Sequence, residues 1–345
     1  MQAKFFAAGQ WAILAVFTAP FASASMYNFT SFDGPGQNGG GTTVNGIGNS
    51  GSIVGFSSDN AANPTLFTNF VLNPNGTFTT LNINNDPLAM ANAINTSGTI
   101  VGTSNNQAFS QTGSVFSTLP PVNSTTANEV AFGINDQSLI VGQYTDGASD
   151  TQPGFVYNGS SYKTLSPTAN AFVVNAQSVN NEGEVAGFYS TDGVHQHGFL
   201  FNDITNTYQL LPDPNIANLQ LTQFLGINDE GLAVGYYQTN DGSQHGFIYN
   251  TNSNSYSFLD DPSAAQSGFS VTQITGINDS GEIAGFYVDP STGLQRGFYA
   301  TVATPEPGTL LLFAGGFIAI MLCTKIRIGG RAAFAGPEPA WFRGT

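Results

Sequence analysis

The chain has 345 residues of which only 8% are charged, and 22 acids against 7 Lys and Arg leave a net charge of −15. That balance excludes nucleic acid as a partner and makes anionic polysaccharide a poor one, because both are repelled at long range. A single cysteine excludes a disulfide framework, so stability has to come from core burial, for which the length is ample.

Residues 1–24 combine one early cation, Lys4, with an apolar run from Trp11 through Phe21 and the small triplet Ala22-Ser23-Ala24. These are the parts of a secretory signal peptide, so 1–24 is expected to be a signal helix removed on export. From 25 to 303 the chain carries twenty Asp or Glu against two cations, Lys163 and Arg296, and no cysteine.

Within 25–303 one unit is written six times. Its marker glycines are Gly55, Gly102, Gly142, Gly187, Gly235 and Gly285, spaced 47, 40, 45, 48 and 50 residues apart. A period near 46 residues signals a solenoid, propeller or array. The last unit shows four strand-like runs, "YSFL", "VTQITGI", "EIAGFYV" and "GFYA", each bounded by turn residues. No window between the two ends carries a helical period, which predicts an all-β domain.

In "GINDSGEIAG" (276–285) Asn278 and Asp279 open a type I turn that Gly281 closes as a G1 bulge. Gly51, Gly98, Gly183 and Gly231 recur at that place, whereas Ser138 breaks the rule and predicts a strained or altered turn. The second glycine, Gly285 and its equivalents, lies inside a strand, where Gly marks a bulge or a close backbone approach, as crowding near a central axis would demand.

The last unit ends without a "YxxL" strand, while "MYNFTSFD" at 26–33 supplies one. Units started at Tyr27, Phe78, Phe116, Tyr162, Tyr208 and Tyr256 are then six complete four-stranded repeats. This predicts a closed six-bladed β-propeller whose N-terminal strand clasps the last blade. An open solenoid would call for atypical capping repeats, which neither end shows clearly.

The turn pattern, with His197-Gly198-Phe199 and His245-Gly246-Phe247 downstream, resembles the HAF-type extracellular repeat family, named for a His-Ala-Phe signature. The pattern weakens to Gln107, Pro153, Arg296 and Thr68 in the other units, yet the resemblance spans nearly all of 26–300. It implies a repeat architecture outside the cell and transfers no catalytic residue.

"HQH" at His195 and His197 has metal-ligand spacing, but His245 and Arg296 occupy the His197 place in other units, which favours packing at a strand edge. Asp136, Asp229, Asp279 and the pair Asp260-Asp261 leave calcium open, although no Asp-x-Asp-x-Asp-Gly loop exists and turn carboxylates need no metal. No other cofactor is implied. Glu129 departs from the repeat, which makes it the best single candidate for catalysis, against its reading as a solvated strand edge. In "GFYS", "GYYQ" and "GFYV", strand alternation is expected to turn one ring of each pair outward, giving Tyr189, Tyr237 and Tyr287 as aromatics for a neutral sugar platform.

At the other end Pro305-Glu306-Pro307 precede an apolar run from Leu310 to Cys323, followed by Lys325 and Arg327. Such a run reads as a marginal transmembrane helix held by cytoplasmic cations. These parts resemble the PEP-CTERM sorting signal of Gram-negative bacteria that make exopolysaccharide. The resemblance implies an exosortase, a membrane protease-transpeptidase, as partner. It assigns 304–327 to the sorting signal and leaves 328–345 as a disordered tail. The sequence therefore points to an exported protein, anchored in the inner membrane and then sorted to the surface or matrix. There it is expected to be structural or adhesive and non-catalytic, with a neutral exopolysaccharide as candidate partner. A lectin-like propeller and a polysaccharide-acting enzyme are the alternatives.

Overall fold

A tight turn joins the first two strands of each sheet, written Asn-x-x-Gly at 95–98, 180–183, 228–231 and 278–281, Asn-x-x-Ser at 135–138 and Gly-x-x-Gly at 48–51. In the last repeat the Gly281 N–H donates to the Asn278 carbonyl at 3.0 Å and the Asn278 N–H to the Glu282 carbonyl at 3.0 Å. Gly281 has φ +76°, so this is a type I turn closed by a G1 bulge. Ser138 adopts the same left-handed backbone at φ +64°, where the other non-glycines are all asparagine. A side chain other than Asn is disfavoured there, as the sequence predicts.

The computed structural model describes residues 27–303 apart from 37–38, 61–64, 150 and 265–268. The expected signal segment 1–24, the sorting region 304–327 with its apolar run, and the tail 328–345 lie outside the described residues. Among the described residues no helix is long and apolar enough to cross a membrane.

Twenty-four strands form six four-stranded antiparallel sheets, the blades of a propeller. Blades 1 to 5 occupy 42–81, 90–118, 126–165, 173–210 and 219–258, each running from an inner strand to an outer one in chain order. Blade 6 takes its inner, second and third strands from Thr272–Ile277, Ile283–Val288 and Gln295–Val302. Its outer strand is Tyr27–Phe32, paired from Tyr27 opposite Val302 to Phe32 opposite Gly297. The N-terminal clasp thus closes the ring. Sequence repeats and blades are offset by one strand, because each "YxxL" run is the outer strand of the preceding blade.

The six inner strands surround the axis, and about 70 Å³ of open space lies among their turn-end halves. Each inner strand carries a bulge, between Ile274 and Gly276 in blade 6 and at the matching place in the others. The close backbone approach expected at the strand glycines is present beside that bulge. A Cβ on Gly285 would overlap the carbonyl oxygen of Gln273 on the bulged strand and press on the Phe298 ring. The same pair of obstacles, a bulge carbonyl and a third-strand Phe, meets all five equivalents. Crowding arises within each blade, where the ring lies over the glycine, and not at the axis. Those rings, Phe70, Phe109, Phe155, Phe199, Phe247 and Phe298, are fully buried and each stabilises its blade by about 1.5–3 kcal/mol.

Candidate functional site

Two ends of the propeller collect the polar residues of the repeat. At the turn end, Asn95 donates its side-chain amide to the Asn135 carbonyl of the next blade at 3.2 Å. Asn135 reaches Asn180, Asn180 reaches Asn228 and Asn228 reaches Asn278 in the same way, at 2.9, 3.0 and 3.1 Å. The residue that follows each Asn donates in the same direction. The backbone N–H of Thr96 donates to Asp136, Asp136 to Asn181, Asn181 to Asp229, Asp229 to Asp279, and Asp279 to Asn49 across the closing seam. Asn and Asp of the motif therefore stitch neighbouring blades together. Burial, and then the charges of Asp229 and Glu230, hold the Asp279 carboxyl above its ordinary range.

The opposite end receives the starts of the third strands and the segments leaving the outer strands. There His197 Nδ1 bonds Asp213 and His245 Nδ1 bonds Asp260, each at 2.7 Å. Arg296 makes a two-pronged contact with Asp33 at 3.0 and 3.0 Å. Three blades thus carry one device, a cationic or hydrogen-bonding side chain tied to an Asp. His195 turns instead to Asp192 in its own loop, so the "HQH" spacing does not converge on one point. Among the described residues no group of three His, Cys, Asp or Glu side chains is placed to hold a metal ion. Sequence reading missed an amide row beside these pairs, in which Gln223 donates to Gln196 at 2.5 Å and Gln273 to Gln244 at 2.7 Å.

Tyr189, Tyr237 and Tyr287 stand behind the same pairs. Tyr237 stacks on His245 with centroids 5.2 Å apart, and Tyr189 lies 5.8 Å from His197. Tyr287 sits opposite Arg296 in the ladder. The expected outward ring is absent: these tyrosines are 9%, 9% and 2% exposed, and Phe188, Tyr236 and Phe286 are buried too. Alternation separates core from solvent only where one face of a sheet is free, and each blade here is covered on both faces by its neighbours.

Glu129 is 3% exposed, which also removes its reading as a solvated edge. One carboxylate oxygen accepts from the Val122 N–H at 3.0 Å, and burial pushes the carboxyl up to about 7. The neighbouring Tyr162 phenol is raised by burial and then by the charge of Glu129, and its hydroxyl donates to the Pro120 carbonyl at 2.7 Å. The 119–125 connection supplies both the Val122 donor and the Pro120 acceptor beside this buried carboxyl.

Residues 303–327 match the PEP-CTERM protein-sorting motif, a span that contains Pro305, Glu306, Pro307, Lys325 and Arg327. That motif marks an exported, surface-sorted protein recognised by an exosortase. No curated protein matches the chain. A Trypanosoma rangeli sialidase bound to the inhibitor DANA is similar at 12% identity and TM-score 0.47, over 87% of this chain and 59% of the sialidase. The chain spans less than two thirds of that protein's length. A mutant of AofleA from Arthrobotrys oligospora is similar at 8% identity and TM-score 0.46, over 81% of this chain and 91% of the other. A protein of unknown function from Dyadobacter fermentans gives 12% identity and TM-score 0.49, over 81% and 100%.

Proposed function

We propose that this protein is a non-catalytic structural or adhesive component of the bacterial surface or extracellular matrix, built on HAF-type repeats. The carrying observation is where the polar residues of the repeat are spent. Turn residues of blades 2 to 6 bond the next blade, and His197, His245 and Arg296 bond the outer-strand exits of their own blades. A repeat that spends its turn Asn and Asp on holding its own ring together is a scaffold, with variation left to loops and seams. In this reading the segment 1–24 directs export, and the apolar run before Lys325 and Arg327 anchors the chain in the inner membrane. The sorting enzyme then removes the anchor.

Fractionation of cells expressing the chain with an epitope tag near Ala303 tests this. Wild type is expected in the surface or medium fraction at reduced mass. The variant with Pro305, Glu306 and Pro307 changed to Ala is expected to stay in the membrane at full mass. Equal membrane retention of both would overturn the sorted-surface reading.

A further inference from the structure

The seam that closes the ring, between blades 6 and 1, differs from the other five in two side chains. The residue after the buried third-strand Phe turns toward the following blade, and in blades 1 to 5 it is Val71, Ser110, Val156, Leu200 and Ile248. In blade 6 it is Tyr299, which packs with Ile53 and Leu72 of blade 1. The residue after the turn glycine, or after Ser138 in blade 3, is Ser52, Thr99, Leu139, Glu184, Leu232 and Glu282 in blades 1 to 6. Blade 6 alone brings a phenol and a carboxylate to one seam.

Both side chains are half-buried and line a cavity of about 240 Å³, whose other walls include Ile47, Ile53, Leu72 and Pro74 of blade 1. The Asn278 amide donates to Glu282 Oε2 at 2.8 Å, and that oxygen lies 3.6 Å from the position a Cβ would take on Gly51 across the seam. Phe32 of the closing strand backs Tyr299, with ring centroids 6.4 Å apart. Among the described residues every cation is engaged elsewhere, Lys163 with Asp203, Arg296 with Asp33 and Asp289, and each His with an Asp. Glu282 therefore stands at an apolar cavity without a counter-ion from those residues.

We propose that this cavity binds a small free aliphatic amine, its ammonium on the Glu282 carboxylate beside the Tyr299 ring and its methylenes against Ile53 and Leu72. A carboxylate next to an aromatic ring attracts an organic cation twice, by charge and by the face of the ring. The acidic domain around it draws cations from a distance and repels anions. A metal ion would need more oxygen ligands than one carboxylate supplies. The largely hydrocarbon walls would leave the hydroxyls of a sugar unpaired. The space lies below the range of about 300–1,000 Å³ usual for drug-sized ligands, which restricts the site to a short chain. At the mouth, the turns 48–51 and 73–76 expose Asn49, Ser50, Pro74 and Asn75, with no large apolar side chain for a second protein to bury. This inference goes beyond the structural or adhesive reading and does not rest on it.

The test uses the full-length chain in a maltoside detergent, because a zwitterionic one carries an ammonium of its own. Calorimetric titration at low salt is expected to show binding of n-butylamine and cadaverine, with 1-butanol and butyrate weaker by about tenfold or more. Glu282→Gln keeps an acceptor for Asn278 and should melt like wild type while weakening both amines by about tenfold or more. Tyr299→Val installs the side chain of blades 1 and 3 and should weaken them about threefold. Glu230→Gln removes an exposed acid from the blade 5 turn and should leave binding unchanged. Binding of neither amine, equal losses in the Glu282 and Glu230 variants, or equal binding of 1-butanol would each overturn the proposal. Tighter binding of a lysine-bearing peptide than of butylamine would overturn it too, by making the seam a protein-docking surface.

Discussion

Glu129 is a carboxyl on the inner strand of blade 3, Thr126–Ile134, that is buried with a single backbone donor. Burial raises its pKa from 4.5 to about 7, so the folded state holds the proton more tightly than the unfolded chain. The linkage has one sign. Stability is fully present below about pH 4.5, is lost as pH rises toward 7, and levels off above, by an amount on the order of 3 kcal/mol. Glu129→Gln keeps the acceptor for Val122 and removes the titration. Urea melts between acid and neutral pH should therefore show wild type falling relative to the variant as pH rises. Parallel curves would show that Glu129 is ionised at no such cost. Nothing in the sequence around "ANEVAFGIN" announces this burial, because what covers the side chain is the 119–125 connection arriving from blade 2.

The closing strand is the clearest element-scale feature, and it is legible in the sequence for a physical reason. Every repeat brings its own turn chemistry, so a missing "YxxL" run in the last unit and a spare one at the start can be counted. Tyr27–Phe32 supplies more than a ladder. Tyr27 is buried, Phe29 packs 5.2 Å from Phe298, and Phe32 crosses the seam to Phe70 of blade 1 at 6.2 Å. Removal of 26–33 also leaves Arg296 without Asp33 and exposes the edge of Gln295–Val302. The truncated chain is expected to aggregate or to melt well below wild type, since three aromatic side chains at about 1.5–3 kcal/mol each are lost. Identical melting would refute the clasp. Less legible was anything that depends on which strand lies innermost. The strand glycine looks like an axis feature until the bulge beside it is seen, and the Phe-Tyr pairs look half exposed until the neighbouring blade covers them. The break at Gln111 stands in the sequence, in "QAFSQ" against "HGFLF" and "HGFIY", but that this polar side chain is buried is seen only once the blades are in place.

Across the whole molecule the question is whether charge helps or hinders a closed ring. Region 25–303 sets twenty acids against Lys163 and Arg296. Among the described residues the attractive pairs are few: Lys163 with Asp203, Arg296 with Asp33 and Asp289, and three His–Asp contacts, all at least partly exposed. Such pairs contribute about 0–1 kcal/mol each. Against them stands the mutual repulsion of some eighteen net negative charges, together with the close approach of Asp229 and Asp279 at the turn end. Closure makes that repulsion cooperative, because the stitched turns place acids from blades 3, 5 and 6 on one ring and no blade can relax alone. Salt shortens the reach of charge from about 30 Å at 0.01 M to about 10 Å at 0.1 M, which screens distant like charges more than contacting opposite ones. The melting temperature should therefore rise when sodium chloride is added over that range, in a thermal scan at neutral pH. A fall would mean that the few ion pairs outweigh the net charge, and would make the Asp33, Asp213 and Asp260 contacts the dominant electrostatic support of the ring.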